Sequence, residues 1–457
     1  IVCTDSKLSY SFDRNDQEAP CDKQEEQGLG NLDTGGINLE EHEKVYGGWE
    51  KQEQAKQDEG DVDRDRQWGG QSQLGENIGK EDKGNAEDAG DLQTKPGTGS
   101  NAVLQSQGGD IFQRILLGEG PFGGREIYWE FGHQDLPNRH MLVFGASGTG
   151  KTYTIQALLC ELGNLNQNSV IVDYTSGFTR KQLEQTVINI LKPKQHVIRR
   201  QPLAVNPFRK QCDYIDDLEL VEKPSITAQR VSGVFAEVYQ MGDQQQAALY
   251  NAIRDGVTKE GNNFNLNGLV SRLDAIRQEG GPSAAPAASA ASKIQPFVDM
   301  NPFGEEDISS WEALFTDQHA RSHIIQLAGF MKETSRLITE FALIDLYWYY
   351  RARGNKNEPK VIVLDEIQNL DHRLDSPLGQ FLTEGRKFGI SLILATQTLS
   401  NLDRDEKDRL FQASHKLFFK PADTEIKSFA QILSDATGGR VDEWVKRLSS
   451  LQRGECY

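Results

Sequence analysis

Seven short apolar runs, rich in β-branched residues, punctuate the chain from residue 141 onward. They are Met141–Phe144, Val170–Val172, Val197–Ile198, Ile324–Leu327, Val361–Leu364, Leu392–Ala395 and Leu417–Phe419. Helical stretches separate them. Near-continuous apolar strands alternating with helices predict an α/β fold whose mostly parallel sheet is covered on both faces. The stretch from about 215 to 320 differs. Val231, Val234, Phe235 and Val238, then Ala248, Leu249, Ala252 and Ile253, recur at helical spacing. They predict a helical insertion, with Gly280-Gly281-Pro282-Ser283-Ala284-Ala285-Pro286 as a flexible joint inside it. Before the first run, Ile111, Ile115 and Leu116 are spaced as on a helix. A glycine-dense turn, Gly118 to Gly124, leads to the strand-like Glu126–Phe131. Residues 1–109 hold no sustained period.

Charge sharpens that division. The 457 residues carry a net −18, and residues 1–100, with 24 acidic and 11 basic side chains, carry −13 of it. A Gly-, Gln- and acid-rich stretch buries too little apolar surface to offset its ordering entropy. Residues 1–109 are therefore expected to be an acidic, largely disordered linker, in which the short apolar pieces near Leu8–Phe12 and Val45–Trp49 read as solvated linker more readily than as docking spots. Residues 110–131 read as a short lead-in and 132–457 as the folded domain. No run is long enough to cross a membrane, and no secretory leader opens the chain. Five scattered cysteines form no CxxC pair, which suits a reducing cytosol better than a disulfide framework. The first residue is Ile1 and the last ones read as a strand beginning, so the chain is expected to be part of a longer protein.

Residues 145–152, Gly-Ala-Ser-Gly-Thr-Gly-Lys-Thr, match G-x-x-x-x-G-K-[ST] at every fixed position. An apolar run precedes them and a helical stretch follows. Gly145, Gly148 and Gly150 let the backbone close around phosphate oxygens where a Cβ would clash. The N–H groups of the loop, Thr149 included, and of the first helical turn then face an anion that the helix dipole favours. Lys151 supplies a mobile cation to the β- and γ-phosphates, and Thr152 a hydroxyl to Mg²⁺, which makes ATP with Mg²⁺ the expected cofactor pair.

The run Val361–Leu364 ends in Asp365-Glu366. A carboxylate at that edge can hold the Mg²⁺ shell, which suits Asp365. Glu366 is placed to polarise an attacking water. Gln397, at the tip of the run before it, can sense the γ-phosphate or orient water. Arg386, in Gly385-Arg386-Lys387-Phe388-Gly389, can be an arginine finger to a neighbouring subunit or a surface ion pair. Asp173 ends the run Val170–Val172, beside the phosphate loop, and can either stand behind the metal's direct ligands or, the reading its position favours, cap its own strand. Lys151 and Asp365 lie 214 residues apart, with the helical insertion between them.

These segments together, HMLVFGASGTGKTYTIQALL, VIVDYTSGF, LAVNPF, VIVLDEIQNL, GRKFGISLILATQTLS and LSSLQRGECY, resemble the HerA/FtsK superfamily of ATP-driven pumping motors, most of all its HerA branch. The resemblance covers about 132–457. Its more specific marks are G-R-K-x-G before a strand ending Ala-Thr-Gln, the long insertion, and the closing L-x-x-G-E. It implies a RecA-like core that assembles as a homo-hexamer and moves double-stranded DNA, often beside a nuclease. It also implies Glu366 as catalytic base, Gln397 as sensor and Arg386 as an intersubunit arginine. The wording around GTGKTYTIQALLCELG is similar to the ATPase of DNA phosphorothioation-dependent restriction systems (the DptH type), which implies antiviral defence beside restriction subunits. HerA proteins usually carry a small N-terminal β-barrel. Here only a fragment of one fits near 111–131.

DNA contact in an acidic chain needs local basic surface. Arg199-Arg200, Arg209-Lys210, Arg351-Arg353-Lys356 and Arg373 are the candidates, each equally readable as a solvated face. Two other functions fit the same motifs: a conjugation or secretion ATPase of the superfamily, and a nucleotide-gated scaffold that recruits a nuclease.

Overall fold

A computed structural model of the chain describes residues 8–9, 114–119, 125–130, 136–304 and 310–457. They fall in one compact unit, residues 1–13 with 105–457. The expected acidic linker over 1–109 lies outside the described residues, apart from Leu8–Ser9, which pairs antiparallel with Glu455–Cys456.

All seven apolar runs are strands of one sheet: β1 (Met141–Phe144), β2 (Ser169–Asp173), β3 (Lys194–Val197), β4 (Ser322–Gln326), β5 (Lys360–Leu364), β6 (Ile390–Thr396) and β7 (His415–Phe418). The order across the sheet is β7-β1-β6-β5-β2-β4-β3, and every pairing is parallel. The sequence reading put Val170–Val172 beside the phosphate-loop strand. In the structure β6 and β5 intervene. Adjacency of strands is set by how the crossovers pack, and periodicity within one strand carries no record of it.

Alternate side chains of each strand feed two cores. Leu142, Phe144, Val170, Val172, Ile362, Leu364, Leu392 and Leu394 face the helical insertion. Met141, Val143, Ile171, Val361, Val363, Ile393 and Ala395 face the helix that follows the phosphate loop, α1 (Lys151–Asn164). Burial on both faces is why these strands read as unbroken apolar runs.

The insertion is four long helices, α2 (Pro224–Val238), α3 (Asp243–Glu260), α4 (Leu266–Glu279) and α5 (Ala284–Met300). Val231, Phe235, Leu249, Ala252 and Ile253 are buried, as their spacing predicts. Gly256 leaves room for the ring of Phe264, which a Cβ there would meet at 2.2 Å. The expected joint falls in a tight turn. Gly280 and Gly281 take positive φ (78° and 77°), and α5 begins at Ala284 with Pro286 in its first turn, where a missing N–H costs nothing. A hairpin, Cys212–Ile215 with Leu218–Val221, precedes the helices and was not anticipated. After the insertion, α6 (Lys332–Arg353) packs on the same face of the sheet.

One expectation is overturned upstream. Ile115 and Leu116 belong to a strand, Ile115–Glu119, paired antiparallel with Glu126–Trp129. Ile115 and Leu117 are buried at 1% and 4% exposure while Leu116 stands at 40%. That is a period of two, which three residues spaced i, i+4, i+5 cannot reveal. Among the described residues, no helix is long and apolar enough to cross a membrane.

Candidate nucleotide site

Parallel pairing brings the carboxyl ends of β1, β6, β5 and β2 to one edge of the sheet, the place where open α/β sheets bind ligands. The loop after β1 is held there by its backbone. Gly145 N–H donates to Thr396 O (3.3 Å) and Ala146 N–H to Lys420 O (2.9 Å). Gly145, Gly148 and Gly150 all have positive φ (155°, 76° and 119°). A Cβ on Gly145 would sit 2.6 Å from Phe419 Cβ, whereas beside Gly148 nothing lies within 4 Å. The loop is thus closed on its protein side and open at Gly148, as a phosphate cradle requires.

Lys151 opens α1 and is buried. Its Nζ donates to Gly145 O (2.7 Å) and Ala146 O (3.0 Å), curled onto the loop it would leave for a phosphate. Burial lowers its pKa, while Asp365 and Glu366 pull the other way, so the three groups lie within electrostatic reach. Thr152, in the first turn of α1, is half-buried, and Thr149 Oγ1 donates to Ala146 O (2.8 Å).

Asp365 leaves β5 as a buried carboxylate whose Oδ1 accepts from Glu366 N–H (2.9 Å). Burial first, then the charge of Glu366, push its pKa up to about 6. A buried acid in that state is a natural partner for a cation. With the open side at Gly148 and the Thr152 hydroxyl, the residues fit a Mg²⁺–nucleotide.

Glu366 sits in the left-handed region (φ 53°), unusual for a residue with a side chain. Its Oε1 accepts from Gln397 Nε2 (2.5 Å), and its Oε2 accepts from Gln368 Nε2. Gln368 Oε1 in turn accepts from Thr396 Oγ1 (2.8 Å). Glu366 and Gln397, 31 residues apart, are thereby brought together. Gln368 and Thr396 complete the set. Sequence reasoning missed both, although each stands one or two residues from a residue it singled out.

Other expected site residues are engaged differently. Asp173 is buried and accepts from the N–H groups of Thr175, Gly177 and Phe178 and from Gln326 Nε2. It caps its own strand, one of the two roles its position allowed. Arg386 precedes β6, whereas the phosphate loop follows β1, so it lies at the opposite end of the sheet from its own loop. Its Nη1 donates to Pro137 O (3.4 Å). Three of the basic candidates are tied up by acids. Arg351 binds Asp213 (2.8 Å) and Glu384 (3.1 Å), Arg373 binds Asp371 (2.5 Å), and Arg209 lies 3.6 Å from Asp345. Arg199, Arg200, Arg353 and Lys356 are exposed.

Comparison with known proteins places this arrangement. The sequence family described as "Helicase HerA, central domain" matches residues 124–345. That stretch includes the phosphate loop and stops short of Asp365. The chain is 21% identical over 377 residues to the DNA double-strand break repair helicase HerA of Sulfurisphaera tokodaii, covering 80% of this chain and 71% of that protein. To the protein of the same name from Sulfolobus acidocaldarius it is 23% identical over 333 residues, covering 70% of this chain and 61% of that protein. The chain thus spans between three-fifths and three-quarters of these relatives. In fold it is similar to VirB4 of Thermoanaerobacter pseudethanolicus, with a TM-score of 0.56 at 15% identity, over 74% of this chain and 91% of that one. Phosphate loop, parallel sheet and these likenesses agree: the chain is similar to the HerA-type P-loop ATPases, through the HerA central domain over residues 124–345 and through the fold.

Proposed function

We propose that this chain is the ATP-hydrolysing motor of a homo-hexameric complex that drives double-stranded DNA, working beside a nuclease or restriction subunits in phosphorothioation-dependent antiviral restriction. The observation that carries the motor reading is the Glu366 carboxylate, held by Gln397 across the strand ends beside the phosphate loop. The relatives' name, a DNA double-strand break repair helicase, supports duplex DNA as the substrate. The restriction setting and the nuclease rest on the resemblance to the DptH type.

In this reading the loop from Gly145 to Thr152 binds the phosphates through backbone N–H groups, and Lys151 swings from Gly145 O to the β- and γ-phosphates. Bound Mg²⁺, held by Thr152 and Asp365, would neutralise charge on the phosphate oxygens. Glu366 takes the proton of the attacking water, and Gln397 fixes the carboxylate that does so. Arg386 serves the site of a neighbouring copy.

The test is ATP turnover with and without DNA. Duplex DNA should raise it several-fold more than single strands, Lys151→Ala should abolish nucleotide binding, and Glu366→Gln should lower turnover at least about 10²-fold while leaving binding intact. Stimulation by single strands alone would favour the conjugation or secretion ATPase. Slow turnover indifferent to Glu366→Gln would favour the scaffold.

A further inference from the structure

Two further loops leave the sheet at the edge that carries the phosphate loop. Every strand pairing is parallel, so the chain leaves β3 and β4 on the same side as it leaves β1, β5 and β6. The register pairs Val197 with Gln326, and the two exits run side by side. After β3 the chain turns at once: Arg200 N–H and Gln201 N–H both donate to Val197 O (2.8 and 3.1 Å). After β4, Phe330 N–H donates to Leu327 O (3.2 Å), and Gly329 takes φ 85°. A Cβ on Gly329 would meet Arg199 Nη1 at 2.7 Å, and the Arg199 guanidinium lies 5.9 Å from the centre of the Phe330 ring. Gly329 therefore makes the turn and leaves the space that the guanidinium fills.

The surface so formed is basic in an acidic chain. Residues 198–202 and 327–333 hold three cations, Arg199, Arg200 and Lys332, and one acid, Glu333, all of them exposed. Arg209, Arg230, Arg351 and Arg373 are held by carboxylates. Among the described residues, neither Arg199 nor Arg200 is in an ion pair. Met331 stands beside them, 74% exposed. Adjacent guanidiniums free of acids are suited to successive phosphates of a nucleic-acid backbone.

The same loops are joined to the nucleotide site. Gln326 Nε2 donates to Asp173 Oδ2 (2.9 Å), and Gln326 Oε1 accepts from Ala328 N–H (3.0 Å). Leu327 N–H donates to Asp173 O (3.0 Å). Asp173 Oδ1 in turn accepts from Gly177 N–H (3.2 Å), and Gly177 O accepts from Gln156 Nε2 on α1 (3.2 Å). A Cβ on Gly177 would lie 3.2 Å from Thr152 Cγ2. Contacts thus run without a break from Thr152, through Asp173 and Gln326, to the loop that carries Met331.

We propose that the paired exits of β3 and β4 form a contact for the backbone of duplex DNA, with Arg199 and Arg200 on its phosphates, and that Gln326 is the positioning residue that couples this contact to the nucleotide site. The proposal rests on the DNA-motor reading and deepens it.

The experiment uses the full chain. It measures affinity for a fluorescent duplex of random sequence across a salt series, and ATP turnover with and without that duplex. Arg199→Ala combined with Arg200→Ala should lower the affinity about tenfold at fixed salt and reduce the slope of log affinity against log salt by roughly one to two. Arg199→Lys combined with Arg200→Lys should recover most of that slope. Gln326→Ala should keep the affinity, which also reports that it is folded, and lose most of the stimulation by DNA. An unchanged affinity and slope in the double alanine variant would overturn the proposal, as would a loss of affinity with the slope intact. Gln326→Ala that is stimulated like the wild type, or that loses DNA affinity as well, would remove the coupling role. If the wild type hydrolyses ATP but neither binds the duplex nor responds to it, the DNA-motor reading has failed and the inference falls with it. A wild type stimulated by DNA beside a flat arginine result removes the inference alone.

Discussion

At the residue scale the site depends on where charge is buried. Asp365 is the sharpest case, because burial and Glu366 hold its pKa near 6. Only its ionised form can ligate a metal, so falling pH should work against Mg²⁺. The Mg²⁺-dependent part of nucleotide binding should therefore strengthen as pH rises from 5 to 7, with most of the change around pH 6, in titrations of a fluorescent nucleotide with and without Mg²⁺. Asp365→Asn should weaken the Mg²⁺-dependent part and reduce its pH dependence to what the nucleotide's own terminal phosphate contributes. A Mg²⁺-dependent component that stays flat across that range would take Asp365 out of the metal shell. The phosphate loop and the Asp-Glu pair were legible in the sequence because each is a local pattern with a local physical cause. The contacts of Glu366 with Gln397 and Gln368 were not, because they depend on which strand lies beside which.

At the element scale, the insertion is wired to the loop after β5. Glu340 on α6 is buried. Its Oε1 accepts from Asp371 N–H (2.7 Å), while its Oε2 makes no hydrogen bond. Arg336, one turn earlier, lies 3.5 Å from Glu237 on α2 and 3.9 Å from Glu340. Arg373 joins Glu237 (3.7 Å) to Asp371. Burial raises the pKa of Glu340 to about 7. The folded chain therefore keeps a proton that the unfolded chain releases near the ordinary carboxylate value. That contribution is complete in acid and is lost as pH climbs through 7. Glu340→Gln should flatten the loss of stability between pH 5 and 8, and at pH 8 should raise stability by about 1–3 kcal/mol, read by denaturant unfolding. A variant less stable than the wild type at pH 8 would mean that Glu340 stays ionised and paired with Arg336.

At the scale of the whole molecule, the position of Arg386 is decisive. A strand of seven residues separates it from the loop edge of the sheet, roughly 20 Å at the usual rise. If it acts on nucleotide, it acts across copies. Mixing Lys151→Ala and Arg386→Ala proteins should then restore part of the turnover that each lacks alone, because an intact arginine meets an intact loop at some interfaces. Mixtures no more active than their components would return Arg386 to the role of a surface residue.

The amino-acid sequence alone determined the seven strands, the phosphate loop, the acids at the end of β5 and the helical character of the insertion. Each follows from spacing along one stretch of chain, where periodicity and backbone freedom act over a few residues. Tertiary structure alone decided the strand order, the partners of Glu366, the strand at Ile115, the neutralisation of Arg351 and Arg373, and the meeting of Arg199 with Gly329. All of these are contacts between distant segments, fixed by how two apolar cores pack against one sheet, and no local pattern in the chain encodes them.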